Sequence, residues 1–209
     1  MSMPEPHLLA PAELVPGRPF TDPERIDTDL AVLDAMRTTL HAVVATIAEA
    51  PDGLIYLPEA DGRTHRVVLL NRAGLLAPVP LAVVGFFGER RHGAEDERLA
   101  ALDAELIDEL RSHPYMLSYS SRELASGRWA NLVLLTDYQG ASRWRASARH
   151  SYAVAHVAPE AYSRIRLHNA LLPGGLGGPP MIHVRTAYYD FEGPTLWHAV
   201  RPARNAPTA

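Results

Sequence analysis

Apolar positions recur along this chain at two periods, and the change from one to the other marks its elements. Residues 1–28 follow neither period: Pro4, Pro6, Pro11, Pro16, Pro19 and Pro23 interrupt them, which predicts an extended arm. From Asp29 a helical stripe begins, carried by Leu30, Leu33, Leu40, Val43, Val44 and Ile47, with Asp27 or Thr28 as its cap. Pro51-Asp52-Gly53 ends it, and two strands follow at 54–57 and 65–70 around a turn at 59–62. Residues 73–80 read as a connection.

The run 79–87 is apolar on both faces and predicts a central strand. A polar loop at 88–93 leads to a helix at 95–111, where Leu99, Leu102, Leu106 and Leu110 recur at three and four. Ser112-His113-Pro114 stops it. Strands are predicted at 115–124 and 129–135 around Ser126-Gly127, and Asp137–Gly140 breaks the second. A helix from 141 to 155, led by Trp144, comes next. Strand 162–171 alternates Ile165 and Leu167 with Arg164, Arg166 and His168. Past a Gly/Pro loop, 181–191 alternates Ile182, Val184, Thr186 and Tyr188 with His183, Arg185 and Tyr189. The loop, with its five residues Gly174 to Gly178, is flanked by prolines and leads into a strand. That argues against phosphate binding and for a flexible crossing or lid over a pocket.

From residue 79 the order is β-α-β-β-α-β plus one strand, the split βαβ arrangement of an α+β, ferredoxin-like domain. The expected organisation is an arm at 1–28 and an α-β-β segment at 29–78, which reads as an N-terminal helix-hairpin extension or a partial repeat. The ferredoxin-like domain follows at 79–192, and an irregular tail at 193–209.

Composition narrows the chemistry. The chain has 209 residues, a formal net charge of −4 and no cysteine. Disulfides, thiolate nucleophiles, Cys-ligated zinc and iron–sulfur clusters are therefore excluded. All 20 basic residues are arginine, so Schiff-base, PLP-lysine and P-loop chemistry fall away as well. The acidic balance argues against nucleic acid as a partner. No apolar run approaches membrane-spanning length and the N-terminus does not read as a secretory signal, so the expectation is no membrane partner and a cytoplasmic location. No His-x-x-x-His or HExxH spacing occurs, and no metal site is expected.

The element order, the strand 129–135 leading into a helix through Asp137, and the step Trp144 … Ser147-x-x-His150 resemble the dimeric α/β-barrel superfamily. Its antibiotic-biosynthesis-monooxygenase-like members are the nearest in kind. The resemblance implies two sheets closing into a barrel between the subunits of a homodimer. A monomer would fit only if the segment 29–70 supplied the missing layer internally. It also implies an apolar pocket between each sheet and its helices.

Three functions follow as expectations. One is an oxidoreductase of biosynthesis, monooxygenase-like, acting on an aromatic or polyketide-like small molecule. His168, Arg166 and His150 would be its catalytic residues, with Tyr119, Trp129, Asn131, Trp144 and Arg185 holding the substrate. Another is a haem b enzyme with His150, His156 or His168 as axial ligand, His156 being the cofactor-binding candidate. There the spacing of the superfamily's haem ligand falls on Val154 instead of a histidine. The third is a non-catalytic ligand-binding dimer. Against each stands a plain structural reading: Arg-x-Arg-x-His is also how an exposed strand looks, and an aromatic cluster is also a core.

Overall fold

The computed structural model describes residues 5–47, 53–59, 62–91, 104–125 and 128–203. Nine strands form one sheet in the order β1-β9-β8-β7-β4-β6-β5-β3-β2. They are β1 (His7–Leu8), β2 (Leu54–Pro58), β3 (Thr64–Leu69), β4 (Leu81–Arg90), β5 (Met116–Glu123), β6 (Trp129–Leu135), β7 (Tyr162–Leu172), β8 (Ile182–Asp190) and β9 (Trp197–Pro202). Neighbours are antiparallel except β1 and β9. The central four, β7-β4-β6-β5, interleave the two βαβ crossovers as the split βαβ order requires. The fold is α+β, and β3-β2 and β8-β9-β1 extend this centre on either side.

The two faces of the sheet are covered differently. On one lie α3, whose described part is 104–110, and α4 (Tyr138–Arg145), packed around Ala82, Leu110, Met116, Val133, Leu135 and Ala141. Among the described residues, the helix expected at 95–111 is confirmed over 104–110; the rest, and the turn at 126–127, lie outside them. Across the other face runs α1 (Glu24–Thr46), whose Leu33, Met36, Leu40 and Val44 pack against Val67, Val83, Phe87, Leu132, Leu134 and Leu172. The face that a partner's sheet would close in a dimeric barrel is covered here by a helix of the same chain.

That helix starts at Glu24, not Asp29. The Asp22 carboxylate accepts the Glu24 N–H at 3.0 Å and Pro23 stands at the cap, which suits its fixed φ and missing donor. The earlier start carries Asp29 into the helix interior and onto its buried stripe. Gly85 lets the helix approach, because a Cβ there would stand 2.3 Å from Leu33 Cδ1. Gly85→Ala is expected to lower stability by about 1–3 kcal/mol through overpacking, read as a fall in urea midpoint at unchanged m.

Four further expectations change. The connection at 73–80 contains α2 (Arg72–Leu76), capped by Asn71, whose side chain accepts the Gly74 N–H at 2.8 Å. The expected helix 141–155 is broken: after α4 come α5 (Ala148–Tyr152), a π turn (Ala153–Val157) and α6 (Ala158–Ala161). Ser147 causes the first break, its hydroxyl capping α5 by accepting the His150 N–H at 3.2 Å. The Gly/Pro loop is no free lid. Arg37 of α1 donates to the carbonyls of Leu176 and Gly178 at 2.7 and 3.1 Å, and Leu176 is buried in the core. Among the described residues of the tail, Trp197–Pro202 form β9, which pairs with β8 over six residues.

Candidate functional site

The sheet divides the candidate residues into two sets. Tyr119, Trp129, Asn131 and Arg185 share the face of α3 and α4, as alternation on β5, β6 and β8 requires. Tyr119 and Trp144 pack against the hydrophobic cluster there. The His150 ring lies 4.4 Å from the Trp144 ring, Asn131 accepts the Ser121 hydroxyl at 3.0 Å, and Arg185 donates to Asn169 Oδ1 at 2.9 Å. His156 is exposed, with its ring tilted against that of Tyr152 at 4.9 Å.

Arg166 and His168 point the other way, toward α1, and both are buried, so the exposed-strand reading of Arg-x-Arg-x-His does not hold for them. Their partner is Asp29. Its Oδ2 accepts Arg166 Nε at 2.7 Å and lies 2.9 Å from His168 Nε2, while Oδ1 accepts Arg166 Nη2 at 3.1 Å. The pairing is the bidentate fork of a guanidinium on a carboxylate. His168 Nδ1 meets Thr186 Oγ1 at 2.9 Å, and the same oxygen lies 2.9 Å from His183 Nε2. Glu89 Oε1 stands 3.7 Å from Arg166 Nη1.

Burial would raise the Asp29 carboxyl, but the hydrogen bonds from His168 and Arg166 and their charges outweigh it and leave the group below its ordinary value. Burial also holds His168, His65 and His150 below the usual imidazole value. Burial, helped by His168, lowers His183 to about 4.

A depressed histidine binds fewer protons folded than unfolded, so acid favours unfolding below the unfolded value of 6.5. Melting temperature is therefore expected to fall as pH drops from 6.5 toward about 4, the value of His183 in the fold. The contribution of Asp29 starts to be lost only as pH falls toward the ordinary carboxyl value of 3.8. His183→Gln should flatten the upper part of that fall, which melting curves across the range will show.

A pocket of about 240 Å³ opens beside this cluster, lined by the apolar surfaces of Val32, Phe87 and Leu124, with Asp29 and Arg166 as its polar wall. Glu89 and Arg128 also border it. It lies between the sheet and α1. Sequence reasoning missed Asp29 as a site residue, having read it as the start of a helix.

The residues of this pocket do not fit haem. Its volume lies below the ~300–1,000 Å³ of pockets for drug-sized ligands. No histidine lines it, and both ring nitrogens of His168 are engaged. Among the described residues no cluster of three His, Asp or Glu is placed to hold a metal ion, and no helix is long and apolar enough to cross a membrane.

No family model and no curated protein matches the chain. Among solved structures it is similar to protein SO0527 from Shewanella oneidensis at 17% identity and a TM-score of 0.40, over 45% of this chain and 91% of that one. It is similar to Rv0793 from Mycobacterium tuberculosis at 23% and 0.37, over 44% and 92%. An aldoxime dehydratase matches at 18% and 0.26, over 69% of this chain and 38% of the dehydratase. Superpositions this partial carry no argument about activity.

Proposed function

We propose that the chain is a small-molecule enzyme acting in the pocket beneath α1 on a small aromatic substrate with one ionisable hydroxyl. The observation that carries this reading is the position of Asp29 and Arg166, which line an otherwise apolar pocket and also anchor a buried hydrogen-bonded cluster. An apolar wall with Phe87 suits an aromatic ring. A carboxylate accepts a hydrogen bond from a phenol hydroxyl, and a fixed guanidinium favours the phenolate form. Without cysteine or lysine, the reaction class that fits is oxygenation in which the substrate anion itself supplies the electrons to oxygen.

The test is a titration of small phenols into wild type and Ala125→Trp, a substitution at an exposed position of the pocket lining. Wild type is expected to bind and to consume oxygen with at least one phenol, and the variant to lose both while its melting temperature is kept. Phenols that bind neither protein, or both equally, would overturn the assignment.

A further inference from the structure

Asp29 is not the end of its hydrogen-bonded chain. From its Oδ2 the path runs through His168, across Thr186, to His183, with each heavy-atom separation 2.9 Å. Asp29 opens on the pocket, while His183 is partly exposed on β8 between Ile182 and Val184, which are 54% and 41% exposed. A register shift brings the last link into place. Asn169 faces Arg185 but Ala170 faces His183, so β8 carries one extra residue and His183 turns to the side of Thr186. In regular pairing the two side chains would lie on opposite faces.

The partners fix the direction of each bond. An ionised carboxylate only accepts, so His168 carries its proton on Nε2 and presents a lone pair at Nδ1. Thr186 must then donate its hydroxyl proton to that lone pair. Its oxygen is left to accept from His183 Nε2–H. All three bonds point toward the carboxylate.

We propose that His183, Thr186 and His168 are a proton relay between solvent and the Asp29 carboxyl. A proton arriving at His183 Nδ1 releases the one on Nε2 to Thr186 Oγ1. The hydroxyl proton of Thr186 passes to His168 Nδ1, and that on His168 Nε2 passes to Asp29 Oδ2. One proton enters, one reaches the pocket, and no electrons are gained or lost. The reverse sequence takes a proton from a pocket ligand to solvent. The charged and titratable groups around His183 are Asp27 of α1, His168 of β7 and Arg201 of β9, and its ring also hydrogen-bonds the backbone of Arg185. The use of the relay rests on the pocket being the reaction site. Its existence does not, because Asp29 is 6% exposed and a filled pocket would close its direct route to water.

The experiment reads the His168 Nε2 proton itself, by ¹⁵N NMR of the histidine-labelled full chain, as its rate of exchange with water. Thr186→Val keeps the shape and removes the hydroxyl. It is expected to slow exchange by roughly a hundredfold, the size of a positioned proton-transfer group's contribution, whereas Thr186→Ser should keep the wild-type rate. A network that only holds structure gives the opposite result, since removing a bond loosens it and exchange through local opening becomes faster. Should Thr186→Val fail to fold, His183→Phe at its partly exposed position reads the same direction. Unchanged or faster exchange in the folded variant overturns the relay. Phenol titration of the same samples is a separate readout, so a failed relay with intact binding is distinguishable from a failed pocket.

Discussion

Asp29→Ala is expected to destabilise the protein by about 3–5 kcal/mol, the cost of breaking a buried ion pair by removing one partner. Arg166 and His168 are 3% and 0% exposed, and Asp29 supplies both of their short contacts on the α1 side. Without it a guanidinium stays buried with Glu89 at 3.7 Å as its remaining acid, and the His168 Nε2 proton has no acceptor. Against a total stability of ~5–15 kcal/mol this is a large fraction. Asp29→Asn keeps an acceptor and should lose less. Asp29→Leu combined with Arg166→Met replaces charge by apolar volume and should recover most of the loss. Urea unfolding of the singles and the double closes a mutant cycle. A double variant as unstable as the sum of its parts would show that the two residues are not coupled.

The pattern of apolar positions was enough for the sheet centre. Alternation on β7 put Arg166 and His168 on one face, the run at β4 marked a strand buried on both sides, and the run at β6 marked a strand. Which face α1 would cover was legible only in one detail. Its buried stripe reads Ile26, Asp29, Leu33, Met36, Leu40 and Val44, so an acid occupies an apolar position at helical spacing. Such an acid needs a buried cation, and Arg166 is that cation, 137 residues away. The resemblance implies a partner subunit for this face, whereas α1 of the same chain covers it. The break before α5 turns on a single serine hydroxyl competing with the helix for the His150 amide. β9 was missed for a related reason: its buried positions include Arg201, which spoils the apolar alternation.

Arg201→Met is the substitution expected to release the N-terminal arm. The guanidinium is fully buried and donates to four oxygens: Ala10 O at 3.3 Å, Thr21 O at 2.8 Å, Tyr188 Oη at 2.6 Å and Glu13 O. Three of these are carbonyls of the arm, so one side chain of β9 satisfies backbone that has no sheet partner of its own. Hydrogen bonds to a charged group contribute roughly 1.5–3 kcal/mol each, and after partial rehydration of the freed carbonyls a loss of about 3 kcal/mol or more is expected. Methionine keeps much of the volume, so the loss reports the bonds rather than a cavity. Chymotrypsin provides the local readout, because Phe20 lies within the arm and is followed by Thr21. In the native fold the Phe20 side chain is buried, with the ring 6.0 Å from that of Tyr188 and 6.1 Å from that of Trp197. Cleavage after Phe20 should be slow in wild type and fast in Arg201→Met. Equal rates would mean that β1 and the packing of Phe20 hold the arm without Arg201. Fast cleavage would make the arm the fastening of α1 as well. The arm runs directly into that helix, so its release frees the helix start and, with it, the cover over the pocket that Asp29 lines.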